Sequence, residues 1–197
     1  MASMKKEDWS LAVMLALIFG IGSAVGSDAS ASAGPPLLHM LLVGDSLAVG
    51  LSRPLTAELA RQEVELTTLA KVGTSAGYWE SKIVEQCGLR RFSTIIVSLG
   101  TNDCKDAASE SCREFDERVG VMVLAAAVNR GRIIFLVPSW LPSEWVTRIR
   151  EAVYSIDGIA VEAPTVVQLE GDGIHPTQAG YGVWAKDIVN SLSNMSQ

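Results

Sequence analysis

The chain has 197 residues, 48% hydrophobic and 19% charged, with a formal net charge of −6. That is length for one well-buried domain rather than two, and an acidic balance with no basic stripe argues against a nucleic-acid partner. Two histidines, and three cysteines without a CxxC pair, argue against a metal site.

In chain order, residues 1–36 stand apart. Lys5 and Lys6 precede an uncharged run from Trp9 to Gly26, and the small-residue tract SDASASAGPP follows. Basic residues, an apolar stretch and Ala-x-Ala sites at Ala29/Ala31 and Ala31/Ala33 make the layout of a secretory signal peptide. Glu7 and Asp8 offset the lysines, and the 18 uncharged residues also approach the lower limit for crossing a bilayer. A cleaved signal is the first expectation, an uncleaved anchor through residues 9–26 the second, and a buried helix the third. On either of the first two, the domain formed by residues 37–197 is exported, either periplasmic or secreted.

From Leu37 the pattern alternates. Apolar runs rich in Val, Ile and Leu predict buried strands over Leu38–Val43, Val64–Ala70, Thr94–Leu99, Arg132–Val137 and Ile159–Val167. Between them, stretches of helical period cover Ala48–Gln62, Tyr78–Cys87, Cys112–Asn129 and Ser143–Tyr154, and a last helix runs from about Thr177 to Leu192. Strands buried on both faces and separated by helices predict a parallel sheet covered on two sides, a doubly wound α/β sandwich. Ligands of such sheets bind at the carboxyl ends of the strands.

Those ends carry chemistry. The first strand runs into Gly44-Asp45-Ser46. The second is followed by KVGTSAG with Gly73, and the third by GTND, Gly100 to Asp103. The last leads through LEGDGIHPTQAGY, with Asp172 and His175, into the final helix. Turn and cap propensities explain any one of these. They do not explain four distant segments delivering Ser, Gly, Asn, Asp and His to one sheet edge.

Together, GDSL, the lone Gly73, GTND and DGIHPT resemble the four blocks of the SGNH (GDSL) hydrolase family, in the family's order, over residues 38–190. The resemblance implies a flavodoxin-like three-layer sandwich whose five-stranded parallel sheet has the order 2-1-3-4-5. It implies an esterase needing no metal or organic cofactor. Ser46 is then the nucleophile, and the oxyanion donors are the Ser46 and Gly73 backbone N–H groups and the Asn102 side chain. Gly77 is a rival to Gly73.

The residues agree on their own terms. A serine hydroxyl needs a base within hydrogen-bond reach, and an imidazole, with an ordinary pKa of about 6.5, can take its proton and return it. His175 is the candidate, because His39 falls inside the first strand and reads as structural. Asp172, three residues before His175, is close enough to hold the other ring nitrogen. Asp45 and Asp103 read as carboxylates that fix their loops through backbone N–H groups. An α/β-hydrolase elbow, G-x-S-x-G, would need a second glycine where Ala48 stands.

The substrate is less legible. Trp79, Trp140 and Trp145 follow the second and fourth strands and could line an acyl slot or stack on a sugar; Trp79 and Trp140 are the candidate substrate residues. The expected substrate is a small-molecule, lipid or carbohydrate ester. Small acyl or acetyl ester hydrolysis leads, lysophospholipase or thioesterase action is the alternative, and a catalytically silent carbohydrate-binding module is the non-enzymatic one. Cys104 and Cys112 flank CKDAASESC and could close a disulfide worth about 2–3 kcal/mol in an exported protein. Cys87 reads as a small buried hydrophobe.

Overall fold

The computed structural model describes residues 38–104, 110–128, 130–155, 159–164 and 167–195. The signal or anchor expected in residues 1–36 lies outside them. Five strands, β1 (His39–Gly44), β2 (Glu65–Ala70), β3 (Thr94–Ser98), β4 (Arg132–Val137) and β5 (Ile159–Glu162), form one parallel sheet of order β2-β1-β3-β4-β5. Interleaved with them are α1 (Ser46–Ala60), α2 (Ala76–Leu89), α3 (Thr101–Cys104), α4 (Glu110–Val128), α5 (Ser143–Tyr154) and α6 (Gln178–Asn194).

Strand alternation builds two cores from one sheet, since successive side chains point to opposite faces. Leu41, Val43, Ile95, Val97, Ile133 and Phe135 pack with Ile83 of α2, Phe115 and Val119 of α4 and Ile149 of α5. Their neighbours Met40, Leu42, Ile96, Ile134 and Leu136 face the other way, onto Leu47, Leu51, Leu55 and Leu59 of α1 and Trp184 and Ile188 of α6. Leucines four residues apart lie on one helix face, so α1 is held to the sheet along its whole length, with Pro54 inside it. His39 is structural, as expected: its Nε2 lies 2.8 Å from Thr67 Oγ1 and its ring meets the edge of Phe92.

Three expectations change. β2 is not fully buried; it is an edge strand with Glu65 exposed and the rest half-buried. β5 ends at Glu162 rather than Val167. The GTND segment, expected as loop, winds into the single turn α3, closed by the Cys104 N–H donating to the Gly100 carbonyl at 2.8 Å. The sheet order reverses direction between β1 and β3, which places the binding crevice of such a sheet beyond their carboxyl ends. Both the Gly44-Asp45-Ser46 and Gly100-Thr101-Asn102 segments begin there.

Candidate active site

At the end of β1 the backbone is pulled against β3. The Asp45 N–H donates to the Ser98 carbonyl at 3.1 Å, and a Cβ on Gly44 would sit 2.3 Å from that same oxygen and 2.7 Å from Ala48 Cβ. Only glycine allows this approach. Gly44→Ala is expected to destabilise the domain by about 1–3 kcal/mol, as overpacking does, read as a shift in the urea midpoint; an unchanged midpoint would contradict the packing. Asp45 then caps α1, its Oδ1 accepting the Leu47 N–H at 3.0 Å. Ser46 follows as the first helical residue, whose N–H has no carbonyl within the helix to donate to.

The second half of the site is a tight loop before α6. Leu169 and Pro176 bridge its base in antiparallel fashion, and the Glu170 N–H donates to the His175 carbonyl at 2.8 Å. Gly173 turns it at φ +68°. Inside, Asp172 Oδ1 accepts the N–H groups of Ile174 and His175, both at 2.9 Å. Its Oδ2 lies 2.6 Å from His175 Nδ1, and His175 Nε2 lies 2.8 Å from Ser46 Oγ. The carboxylate fixes the tautomer, because Nδ1 must carry the proton it donates and Nε2 is left to accept from the Ser46 hydroxyl. The His175 side chain and two backbone N–H groups hold the Asp172 carboxyl well below the usual carboxylate range.

The third part is α3. The Asn102 amide donates through Nδ2 to the Thr74 carbonyl at 3.0 Å and to Asp45 Oδ2 at 3.3 Å. Asp103, buried, accepts the Ala76 N–H at 3.0 and 3.2 Å. Asp45 and Asp103 therefore do hold backbone N–H groups, as their sequence positions implied. These bonds tie the turn after β2 to α3, and α3 to the nucleophile turn. Gly73 lies in that turn at φ +74°, exposed, with open space where a Cβ would stand. Gly77 is already inside α2, against the Arg118 guanidinium. Burial, then the Asp103 carboxylate, raise the Asp45 pKa to about 7, against the lowering effects of the Leu47 N–H and His175.

The fold thus gathers Ser46, His175, Asp172 and Asn102, with Gly73 one residue from the Asn102 acceptor. It treats the two candidate tryptophans differently. Trp79 is 4% exposed, in the core, with its indole N–H donated to Thr74 Oγ1. Trp140 stacks edge-on against Trp184 and donates its N–H to the Ile174 carbonyl at 2.9 Å, so it braces the base loop instead of offering that group to substrate. The assignment of Trp79 as a substrate residue is corrected by its burial; Trp140, half-buried, sits beside the base loop. Trp79 lies on the buried face of α2 with Ala76 and Ile83. Cys104 and Cys112 are both buried and their side chains meet, so the fold brings together the pair that the sequence singled out; burial, the largest cause, pushes the Cys104 thiol up. Cys87 is half-buried against the core.

Two contributors escaped sequence reading. Thr74 offers its carbonyl to Asn102 and its hydroxyl to Trp79 and the Lys71 carbonyl; only its place beside Gly73 hinted at a role. Tyr181 of α6 fills the space over Gly50 and lines, with Arg53, Glu170, Pro176 and Gln178, a cleft of about 610 Å³ beside the base loop. Its periodicity alone made it an ordinary helix-face residue.

No protein-family model and no curated protein matches the chain. Solved structures do. The psychrotrophic esterase EstA of a Pseudoalteromonas species, in a structure inhibited by monoethylphosphonate, is similar at TM-score 0.65 and 10% identity, over 80% of this chain and 97% of that one. A lipase/acylhydrolase of Enterococcus faecalis gives TM-score 0.66 and 17% identity over 81% and 97%. Axe2, an acetylxylan esterase of Geobacillus stearothermophilus, gives TM-score 0.60 and 14% identity over 78% and 93%. The chain shares the fold of these proteins over nearly the whole of each.

Proposed function

We propose that the chain is an SGNH (GDSL) hydrolase, a serine esterase that cleaves small acyl or acetyl carboxylic esters. One observation carries this reading: the unbroken line Asp172–His175–Ser46, at 2.6 and 2.8 Å, with the Asn102 amide tied beside the nucleophile turn. The fold shared with esterases and an acylhydrolase supports it.

Ser46 Oγ attacks the ester carbonyl as its proton passes to His175 Nε2. The carbonyl electron pair moves onto oxygen, and the resulting oxyanion is met by the Ser46 N–H, the Gly73 N–H and Asn102 Nδ2. A donor of this kind is worth about 3–4 kcal/mol in the transition state. When the intermediate collapses, the bond to the leaving oxygen breaks and His175 returns the proton to it. Water then attacks acyl-Ser46 with the same base, releasing acid and restoring the hydroxyl. Asp172 stabilises the imidazolium throughout. A complete set of these groups speaks against a silent binding module, which has no use for an aligned base.

Short acyl groups are favoured over lipolytic ones by Trp79, a wall of the expected apolar slot, which is consumed by the core. Across p-nitrophenyl esters from two to twelve carbons, kcat/KM is expected to peak at acetate or propionate and to fall by six carbons. A peak at six carbons or beyond would instead identify a lysophospholipase or thioesterase. Export, and membrane anchoring if the segment stays uncleaved, rest on residues 1–36 alone.

A further inference from the structure

We propose that Asp45 is the positioning residue of the oxyanion hole: its carboxylate pins the Asn102 amide against the nucleophile turn that carries Ser46. The inference rests on the esterase reading above and concerns a site carboxylate to which that mechanism gives no part.

The geometry is specific. Asp45 is fully buried, and each of its oxygens already receives an N–H: Oδ1 from Leu47 in the turn that carries Ser46, Oδ2 from Asn102. One side chain therefore sets the spacing between two oxyanion donors that come from different strands. The Asn102 amide is gripped on one side by the Thr74 carbonyl at 3.0 Å and on the other by Asp45 at 3.3 Å. Both partners accept from the same nitrogen, which fixes the amide plane and keeps its NH2 end, rather than its carbonyl, turned toward the site. The longer of the two bonds leaves its hydrogen able to be shared with a developing oxyanion. Hydrogen bonds to a charged partner are roughly twice as strong as neutral ones, so a proton on Asp45 loosens this grip.

The groups facing Asp45 are Asp103 from α3, His175 from the base loop and Tyr181 from α6. Asp103 opposes ionisation, His175 favours it, and Tyr181, itself pushed up to about 12, stays neutral across the working range. Asp45 ionises at about 7, so the grip is present above that pH and is released below it.

Asp45→Asn isolates the bond. Its carbonyl oxygen can still cap Leu47, but its NH2 then faces the Asn102 NH2, donor against donor. With p-nitrophenyl acetate, kcat should fall about 10- to 100-fold with KM little changed, and the acid limb of the pH profile should become shallower as one of its two groups is lost. In an Asn102→Ala background the same substitution should change kcat less than about threefold. Losses that multiply in the double variant, or an acid limb identical to wild type, would overturn the proposal.

A second measurement needs neither turnover nor the folding of Asp45→Asn. In His175→Ala protein, the 15N side-chain amide signal of Asn102, identified by its loss in Asn102→Ala, should shift with pH at a midpoint above the native Asp45 value, because the imidazole that favours ionisation is gone. Should that signal stay fixed while the wild type hydrolyses ester, the positioning role fails and the esterase survives. A moving signal in a protein that cleaves no ester means the opposite: the clamp stands and the esterase reading falls.

Discussion

Ser46→Ala is expected to lower kcat by about 10⁶-fold, the scale on which serine hydrolases lose turnover when the nucleophile goes, with the fold intact. The size follows from the mechanism, since no acyl-enzyme can form and His175 is left with only water to activate. The structural cost is small for reasons equally visible. Ser46 is half-buried at the first position of α1, its hydroxyl makes one hydrogen bond, to His175, and alanine is a good helix former. One such bond is worth about 0.5–1.5 kcal/mol net, so the melting temperature should move by a few degrees at most. An alkyl fluorophosphonate should add one phosphonyl group to the wild type, at Ser46, and none to the variant. Turnover retained in Ser46→Ala, or a label on another serine, would remove Ser46 from the reaction.

How far these conclusions could be read from the chain depends on what each residue needs. β1, β3 and β4 were legible because their side chains are buried on both faces, so unbroken Val/Ile/Leu runs mark them whatever surrounds them. β2 was overread, since an apolar run does not say whether a strand lies at the centre or the edge. The pairing of Ser46 with His175, 129 residues away, became readable only because both fall at strand ends of a parallel sheet. Asp45 and Asp103 were recognisable as loop-fixing acids from their motifs, yet the bond from Asn102 to Asp45 joins two strands and has no local signature. Trp79 was misplaced for a related reason. Whether an indole lines a cleft or fills a core is settled by the helix face it rides and the acceptor its N–H finds, here the buried face of α2 and the Thr74 hydroxyl. The turn α3 is too short for any propensity to register.

Asp172→Asn should cost kcat about 10³- to 10⁴-fold with little change in KM, and the argument is one of tautomers. In the native loop Oδ1 takes the N–H groups of Ile174 and His175 while Oδ2 takes His175 Nδ1–H. The asparagine keeps its oxygen on the two backbone donors, so the loop holds its shape and the NH2 group occupies the Oδ2 position. That NH2 donates, and His175 can answer only by offering a bare Nδ1, which moves its proton to Nε2. The nitrogen facing Ser46 Oγ at 2.8 Å then already carries hydrogen and cannot act as base. Exposure of Asp172 and His175, at 47% and 36% of their side-chain surface, lets water share the charge of the imidazolium. The loss should therefore lie toward the lower end of that range. Asp172→Ala leaves Nδ1 to solvent and imposes no wrong tautomer, so it should retain more activity than Asp172→Asn. Single-turnover acylation with p-nitrophenyl acetate measures this order directly. If the alanine variant is the slower of the two, Asp172 works by charge alone, and its control of the histidine tautomer is refuted.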